Sequence, residues 1–240
     1  MRAAALAAAP GIAAAAWAVR GRSSSVFGPS VWRGRGDRKS IALTFDDGPS
    51  PATAEILQLL AAHGAKATFF ACGQNVTRHP ESAKEVVAQG HEIGNHSYSH
   101  PHFALRTAAF IGDEFQRAQD VIQEATGAAP TLLRPPFGVR WFGFRRMQRE
   151  LGLQGVMWSI IGLDWKLPAT GIARRVLTRV RPGDIVCLHD GRGTLKDPDI
   201  TQTLEAVRNI LPALVETGYH FETVTELLCP TKPTPLKPTR

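Results

Sequence analysis

Short apolar runs that alternate with amphipathic stretches constrain the fold of this chain more than any other feature of its sequence. Seven runs rich in β-branched or aromatic residues predict strands at 41–45, 67–71, 92–94, 132–134, 155–158, 184–188 and 220–224. Between two of them, Phe115, Ala118 and Ile122 recur at helical spacing before a stop at Gly127. Strands that alternate with helices indicate a parallel sheet with helical crossovers, either an open doubly wound sheet or a barrel.

Capping and breaking residues predict where the helices begin and end. Ser50 is placed to cap a helix whose first residue is Pro51, and Gly64 is placed to end it. Further helices are predicted at 81–89, 110–125, 143–151, 172–180 and 203–215. Pro212 is expected to bend or interrupt the last of these.

The distribution of charge argues against a nucleic-acid-binding core. The chain carries +7 overall, but residues 1–40 contribute +6 and residues 230–240 contribute +3, which leaves −2 for residues 41–229. The basic character therefore belongs to the two ends, and no nucleic-acid partner is predicted. Three cysteines without C-x-x-C spacing predict neither a disulfide scaffold nor a zinc-thiolate site, and Cys72 and Cys187 are expected to be buried.

The two ends predict how the chain is divided. After Met1-Arg2, the 17 residues from 3 to 19 carry no charge and 11 of them are alanine. This pattern predicts an export signal or a retained membrane anchor at 1–25; the alternatives are an Ala-rich helix without a targeting role and a misassigned start codon. A single folded domain is predicted at 26–229, and a disordered basic tail with four prolines at 230–240. The protein is expected to be exported or associated with the cell envelope, with a cytoplasmic location as the alternative.

Side chains that could act in catalysis or bind a metal ion follow five of the predicted strands. Their order along the chain is Asp46-Asp47-Gly48-Pro49, His96-Ser97-Tyr98-Ser99-His100, Arg134-Pro135-Pro136-Phe137-Gly138, Asp164-Trp165 and His189-Asp190. Each cluster alone has an ordinary explanation, such as a turn, a solvated histidine or a surface arginine. In a β/α barrel, however, these strand ends meet at one mouth, where active sites form. The combination therefore predicts an active site.

Two of these clusters point to a metal ion. His96 and His100 are four residues apart, so they can lie on one face of a helix and bind one ion. Asp46 and Asp47 are adjacent carboxylates, whose repulsion a metal ion or an arginine would relieve.

Taken together and in this order, the five motifs resemble those of the NodB-type polysaccharide deacetylases, carbohydrate esterase family four, over residues 26–228. The resemblance implies a distorted (β/α)7 barrel in a single domain, in agreement with the seven strands counted independently. It implies a hydrolase that removes N-acetyl groups from GlcNAc-containing glycans, such as peptidoglycan or chitin-like oligomers. The alternatives are an O-acetyl esterase acting on a xylan-like polysaccharide and a catalytically silent glycan-binding module.

The resemblance also implies a metal site and a proton-transfer pair. Asp47, His96 and His100 would hold one divalent ion, with zinc favoured over cobalt or another metal. Asp46 would be the general base, and His189 the general acid.

The remaining motif residues would support this chemistry. Arg134 would orient the base, Asp164 would hold the acid, and a backbone N–H at Phe137 would stabilise the oxyanion. Trp165 and Trp141 would wall the acetyl slot or stack on a sugar.

Two positions depart from the family pattern. Position 137 is Phe where the family usually has Tyr. Ile161 stands where glycan-active relatives often carry an acid, so the resemblance does not identify which glycan is the substrate. The expected partners are an acetylated glycan and, through the N-terminal segment, a membrane. The protein is expected to be a monomer.

Overall fold

Nine strands form the sheet in the computed structural model, which describes residues 2–230 and the side chains of residues 11–230. The strands are β1 Ser30–Val31, β2 Ser40–Asp46, β3 Ala67–Ala71, β4 Glu92–Asn95, β5 Leu132–Leu133, β6 Gln154–Val156, β7 Ile160–Ile161, β8 Ile185–His189 and β9 His220–Phe221. Every pairing between them is parallel. All seven predicted strands are present, and β1 and β7 are two additional short ones.

The sheet curls into a barrel because its two edges are joined by a very short connection. The strand order is β1-β6-β5-β4-β3-β2-β8-β7, with β9 paired to β2. Strands β6 and β7 thus lie near opposite ends of the sheet, yet only residues 157–159 separate them along the chain. Three residues span at most about 14 Å, so the two edges must lie close together. This closure confirms the predicted distorted (β/α)7 barrel.

Helices cover the outside of the barrel. They are α1 Arg2–Arg20, α2 Thr53–Ala62, α3 Gly73–Arg78, α4 Pro80–Ala88, α5 Ala108–Thr126, α6 Phe144–Leu151, α7 Ala169–Leu177, α8 Thr201–Glu216 and α9 Val224–Leu228, with a 3-10 turn at Pro136–Gly138. Gly127 ends α5 in the left-handed conformation at φ 73°, which confirms the predicted stop. The apolar side chains of these helices and of the strands form the core, in which β2 is buried along its whole length.

Three local predictions differ from the structure, wholly or in part. Helix α2 begins at Thr53 rather than directly after Ser50, whose hydroxyl instead accepts a hydrogen bond from the Ala52 N–H at 3.2 Å. Helix α8 runs through Pro212 without interruption. The predicted strand at 220–224 ends at Phe221, because a capping box at Thr223 starts α9.

The segment that follows α1 lies against the barrel. Arg140 is 1% exposed; its backbone N–H donates to the Val19 carbonyl at 3.0 Å, and its guanidinium donates to the carbonyls of Gly21 and Ser24. A division of the chain at residue 25 stays a prediction, and the predicted tail lies outside the described residues apart from Pro230. None of the helices in the described part of the chain is long and apolar enough to cross a membrane.

Candidate active site

A pocket of about 710 Å³ opens at the carboxyl ends of the parallel strands. Most of the predicted site residues line it: Asp46, Asp47, His96, His100, Phe137, Trp165 and His189. Arg134 and Asp164 lie behind this wall, each hydrogen-bonded to a lining side chain. The five motifs that follow different strands therefore meet at one mouth, as expected for a β/α barrel.

The two adjacent aspartates separate because the backbone turns sharply between them. Asp46 is the last residue of β2, whereas Asp47 lies just beyond it at φ 74°, in the left-handed region. The turn is held by Asn75, whose side-chain amide donates to the Asp47 carbonyl at 2.6 Å. The Gly193 N–H donates to Asp47 Oδ2 at 2.8 Å, which leaves Oδ1 directed elsewhere. One carboxylate can therefore serve a metal ion while the other serves a different role.

The two histidines meet in a loop rather than on a helix, so the prediction of a helical face was wrong. The chain leaves β4 at Asn95 and turns through left-handed residues at Ser97, φ 65°, and His100, φ 56°. This turn brings the His96 and His100 rings to within 5.1 Å between centroids.

The hydrogen bond of His96 fixes which of its ring nitrogens can bind a metal. Its Nδ1 lies 2.7 Å from the backbone carbonyl of Arg134. Because a carbonyl oxygen can only accept, Nδ1 carries the proton and Nε2 of the neutral ring presents a lone pair.

Asp47, His96 and His100 present three ligand atoms to one point. Asp47 Oδ1 lies 3.3 Å from His96 Nε2 and 3.0 Å from His100 Nε2, and all three atoms are within 4.8 Å of one another. Among the described atoms, buried Oδ1 has no hydrogen-bond partner. An unpartnered carboxylate oxygen facing two imidazole nitrogens fits a divalent cation, and this ligand set is one that zinc uses.

A fully buried arginine fixes Asp46. Arg134 is 0% exposed and donates to Asp46 Oδ1 at 2.6 Å and to the Thr44 hydroxyl at 2.7 Å. Its other nitrogens donate to the backbone carbonyls of Val156 at 3.3 Å and Met157 at 3.2 Å. With the guanidinium held at four points, Asp46 Oδ1 is fixed in place.

The second oxygen of Asp46 stays available for proton transfer. Asp46 Oδ2 lies 4.0 Å from His96 Nε2 and accepts only a weak hydrogen bond from the Cys187 thiol at 3.5 Å. Burial and the charge of Asp46 raise the pKa of Cys187 well above its usual value, so the thiol stays protonated. The predicted burial of Cys72 and Cys187 is confirmed, at 0% and 1% exposure.

His189 is held as a cation by Asp164. Asp164 accepts from His189 Nδ1 at 2.8 Å, from the His189 backbone N–H at 2.9 Å and from the Thr203 hydroxyl at 2.8 Å. Burial lowers the pKa of His189, but the charge and hydrogen bond of Asp164 outweigh it and raise the pKa to about 9. An imidazolium whose Nδ1 is occupied has its Nε2 proton available to the pocket.

Aromatic side chains form part of the rim. Phe137 is 49% exposed and its ring lies 4.6 Å from that of His100, while Trp165 is 50% exposed and stands perpendicular to His189 at 5.2 Å. Trp141 is elsewhere: it stacks on Phe27 at 5.4 Å and is not among the residues that line this pocket.

The sequence analysis missed several residues of the pocket, among them Arg20, Arg192 and Gly193. Gly193 and Arg192 directly follow the His189-Asp190 motif, so extending that motif by three residues would have included them. Arg20 also lines the pocket, but it comes from the end of α1, and no pattern in the sequence connects it to the strand ends.

The chain is similar to known deacetylases. The family model described as polysaccharide deacetylase matches residues 33–156. A chitooligosaccharide deacetylase of Bradyrhizobium sp. is 35% identical over 210 residues, which cover 82% of this chain and 96% of that protein. A peptidoglycan-N-acetylglucosamine deacetylase of Bacillus cereus is 37% identical over 202 residues, which cover 82% of this chain and 92% of that protein.

The structural likeness extends to a protein described as inactive. The structure of a CE4 family pseudoenzyme from Bacillus anthracis superposes with a TM-score of 0.76 at 29% identity, over 85% of this chain and 70% of that one. A shared fold therefore does not by itself establish catalysis, which depends on the side chains that line the pocket.

Proposed function

The chain belongs to the polysaccharide deacetylase family, and from this premise we propose that it is a metal-dependent hydrolase that removes N-acetyl groups from GlcNAc-containing glycans. The glycans proposed are peptidoglycan and chitin-like oligomers, on which the relatives act by name. One observation carries the proposal: the unpartnered Asp47 Oδ1 faces His96 Nε2 and His100 Nε2 in the same pocket as Asp46 and His189.

The metal proposed for this site is zinc, with cobalt as the alternative. One carboxylate and two neutral imidazoles leave coordination positions open for water and substrate, as catalytic sites require. A divalent cation held by Asp47, His96 and His100 would supply a Lewis acid that polarises the acyl oxygen and acidifies water.

The protein's own side chains would move the protons. Asp46 Oδ2 is proposed to take the proton of the attacking water, while Arg134 keeps the carboxylate oriented through Oδ1. His189 is proposed to donate its Nε2 proton to the leaving amine, because Asp164 holds the ring protonated through Nδ1. The backbone N–H of Phe137 is proposed to donate to the oxyanion.

The proposed substrate also indicates where in the cell the protein acts. An enzyme that acts on peptidoglycan works in the cell envelope, and the apolar segment before Arg20 is proposed to serve as its export signal or anchor.

The test is release of acetate from acetylated chito-oligosaccharides and from peptidoglycan fragments, with zinc or cobalt added and with a chelator. We expect release that the chelator abolishes, and loss of release in Asp46→Asn with metal binding retained. The matched control is Asp113→Asn, which removes an exposed carboxylate from α5. An excess of ester over amide cleavage would favour the O-acetyl esterase, and glycan binding without any release would favour the silent module.

A further inference from the structure

The wall of the pocket includes a cation that the proposed chemistry does not use. Arg20, the last residue of α1, lines the pocket together with Asp46, His100 and Trp158. It lies outside residues 33–156, the part of the chain matched by the family model. Arg20 also belongs to none of the five motifs that follow the strands.

The backbone on both sides of Arg20 is tied to the barrel. The Val19 carbonyl accepts the Arg140 N–H at 3.0 Å, and the Gly21 carbonyl accepts from the Arg140 guanidinium. Arg22 donates to the Ser159 carbonyl at 2.6 Å, in the connection that closes the sheet between β6 and β7. These contacts hold the backbone on both sides of Arg20 against the barrel. Arg20 therefore stays at the pocket whatever the position of the preceding part of α1.

The acidic groups of the site already have cationic or imidazole neighbours. Asp46 is paired with Arg134, and Asp164 is paired with His189 and also lies 3.6 Å from Arg192. Asp47 faces the two imidazoles of the candidate metal site. Among the side chains that the structure describes, Arg20 has no ion-pair partner and is exposed, so its guanidinium is available to a ligand in the pocket.

We propose that Arg20 binds an oxyanion carried by the substrate, a carboxylate or a phosphate, and so makes the enzyme prefer anionic N-acetylated glycans to neutral ones. A guanidinium presents a planar fork of N–H donors that matches the two oxygens of either group. An N-acetylglucosamine ring is itself neutral, so the anion must be a substituent on that sugar or on its neighbour. This inference deepens the proposed function and rests on it.

The experiment compares three acetylated substrates with the full-length, metal-loaded protein. They are a neutral chito-tetraose, a peptide-free glycan strand whose sugars carry lactyl-ether carboxylates, and a chito-tetraose phosphorylated on its sugars. The variants are Arg20→Gln and Arg20→Lys, and the matched control is Arg149→Gln, which removes an exposed charge from α6 outside the pocket.

For Arg20→Gln we expect kcat/KM to fall about fivefold on an anionic substrate, mainly through KM, since a solvent-accessible ion pair contributes up to about 1 kcal/mol. The neutral substrate should be cleaved at the wild-type rate, and Arg20→Lys should retain part of the preference. Added salt should weaken the preference in the wild type. A loss on the carboxylated strand alone, or on the phosphorylated oligomer alone, identifies the group that is recognised. Equal losses on neutral and anionic substrates, or no loss on either anionic one, would overturn the proposal.

A binding measurement separates this inference from the proposed function. Muramic acid and glucosamine are deacetylated sugars that differ by the lactyl carboxylate, so calorimetry can compare their affinities without any hydrolysis. Glucosamine 6-phosphate tests the phosphate in the same way. We expect wild type to bind at least one of the anionic sugars more tightly than glucosamine and Arg20→Gln to lose the difference. If wild type releases no acetate from any glycan, the proposed function fails while this comparison still decides on Arg20. If neither anionic sugar binds more tightly than glucosamine, the role of Arg20 is refuted.

Discussion

Replacing Asp164 with Asn should move the alkaline limb of the pH-rate profile. With Asp164 present, burial and the carboxylate together leave the pKa of His189 raised from 6.5 to about 9. Without that negative charge, burial still lowers the pKa of His189 and only the smaller contributions of Asp47 and Asp46 raise it, so the pKa should return to about 6.5, the ordinary value for histidine. His189 would then be mostly neutral at pH 8 and unable to donate its proton.

The size of the effect follows from these two pKa values. At pH 8 the protonated fraction of His189 falls from about 0.9 to about 0.03, so kcat/KM should fall about 30-fold. At pH 6 the same substitution should cost less than about twofold. A bound divalent cation lowers the pKa of His189 in both proteins, so the quantity to compare is the separation between their alkaline limbs. The assay is acetate release from a chito-oligosaccharide between pH 5 and pH 10.

Thr203→Val is the matched control for this substitution. It removes a hydrogen bond of 2.8 Å to the same carboxylate and leaves the charge of Asp164 in place. We expect it to lower the free energy of unfolding by about 1 kcal/mol and to leave the alkaline limb unchanged. If Asp164→Asn also leaves the limb in place, the carboxylate does not hold His189 protonated and the role of general acid is lost.

The ion pair between Asp164 and His189 should make the free energy of unfolding depend on pH. Because the folded protein binds the His189 proton more tightly than the unfolded chain, the contribution of the pair is complete below about pH 6.5. It should be lost as the pH rises through about 9, which urea unfolding at several pH values would detect.

Two substitutions and a pair of deletions test the candidate metal site and the packing around it. Asp47→Asn should abolish binding of one zinc ion per chain in titration calorimetry, and unchanged stoichiometry would contradict the assignment of Asp47 as a ligand. Gly48→Ala would place a Cβ 2.0 Å from the buried carboxylate of Asp190, so it should reduce the free energy of unfolding by about 1–3 kcal/mol. Deletion of residues 1–25 removes two carbonyls that the buried Arg140 guanidinium uses, and should reduce it by about 1–3 kcal/mol in urea unfolding. Deletion of residues 1–16 keeps both carbonyls and should have little effect, whereas equal losses from the two deletions would refute this reasoning.

The strands could be predicted where a run is long and buried on both faces. The prediction at 67–71 matches β3, because a strand covered on both sides is apolar throughout. Strands β1 and β7 are two residues long and lie outside every predicted run, so only their pairing partners define them. The run at 220–224 was ambiguous for another reason: Val224 suits a strand, but the Thr223 capping box starts a helix there.

The site could be predicted from its chemistry but not from its local geometry. The spacing of His96 and His100 suggested a helix, whereas left-handed residues at 97 and 100 bring the rings together in a loop. Backbone conformations of this kind are decided by tertiary contacts rather than by residue type. Arg20 belongs to no motif, and its place in the pocket follows from the hydrogen bonds that Arg140 donates to the carbonyls of Val19 and Gly21, which the sequence does not reveal.

Arg134 connects the closure of the barrel to the orientation of Asp46 in the pocket. Its guanidinium donates hydrogen bonds to the carbonyls of Val156 and Met157, where the two edges of the sheet converge. The same guanidinium donates to Asp46 Oδ1. If the two edges of the sheet failed to meet here, Arg134 would lose two of its acceptors and Asp46, the proposed base, would lose its fixed orientation. We therefore expect a local folding defect at residues 156–157 to reduce the proposed activity before it unfolds the protein.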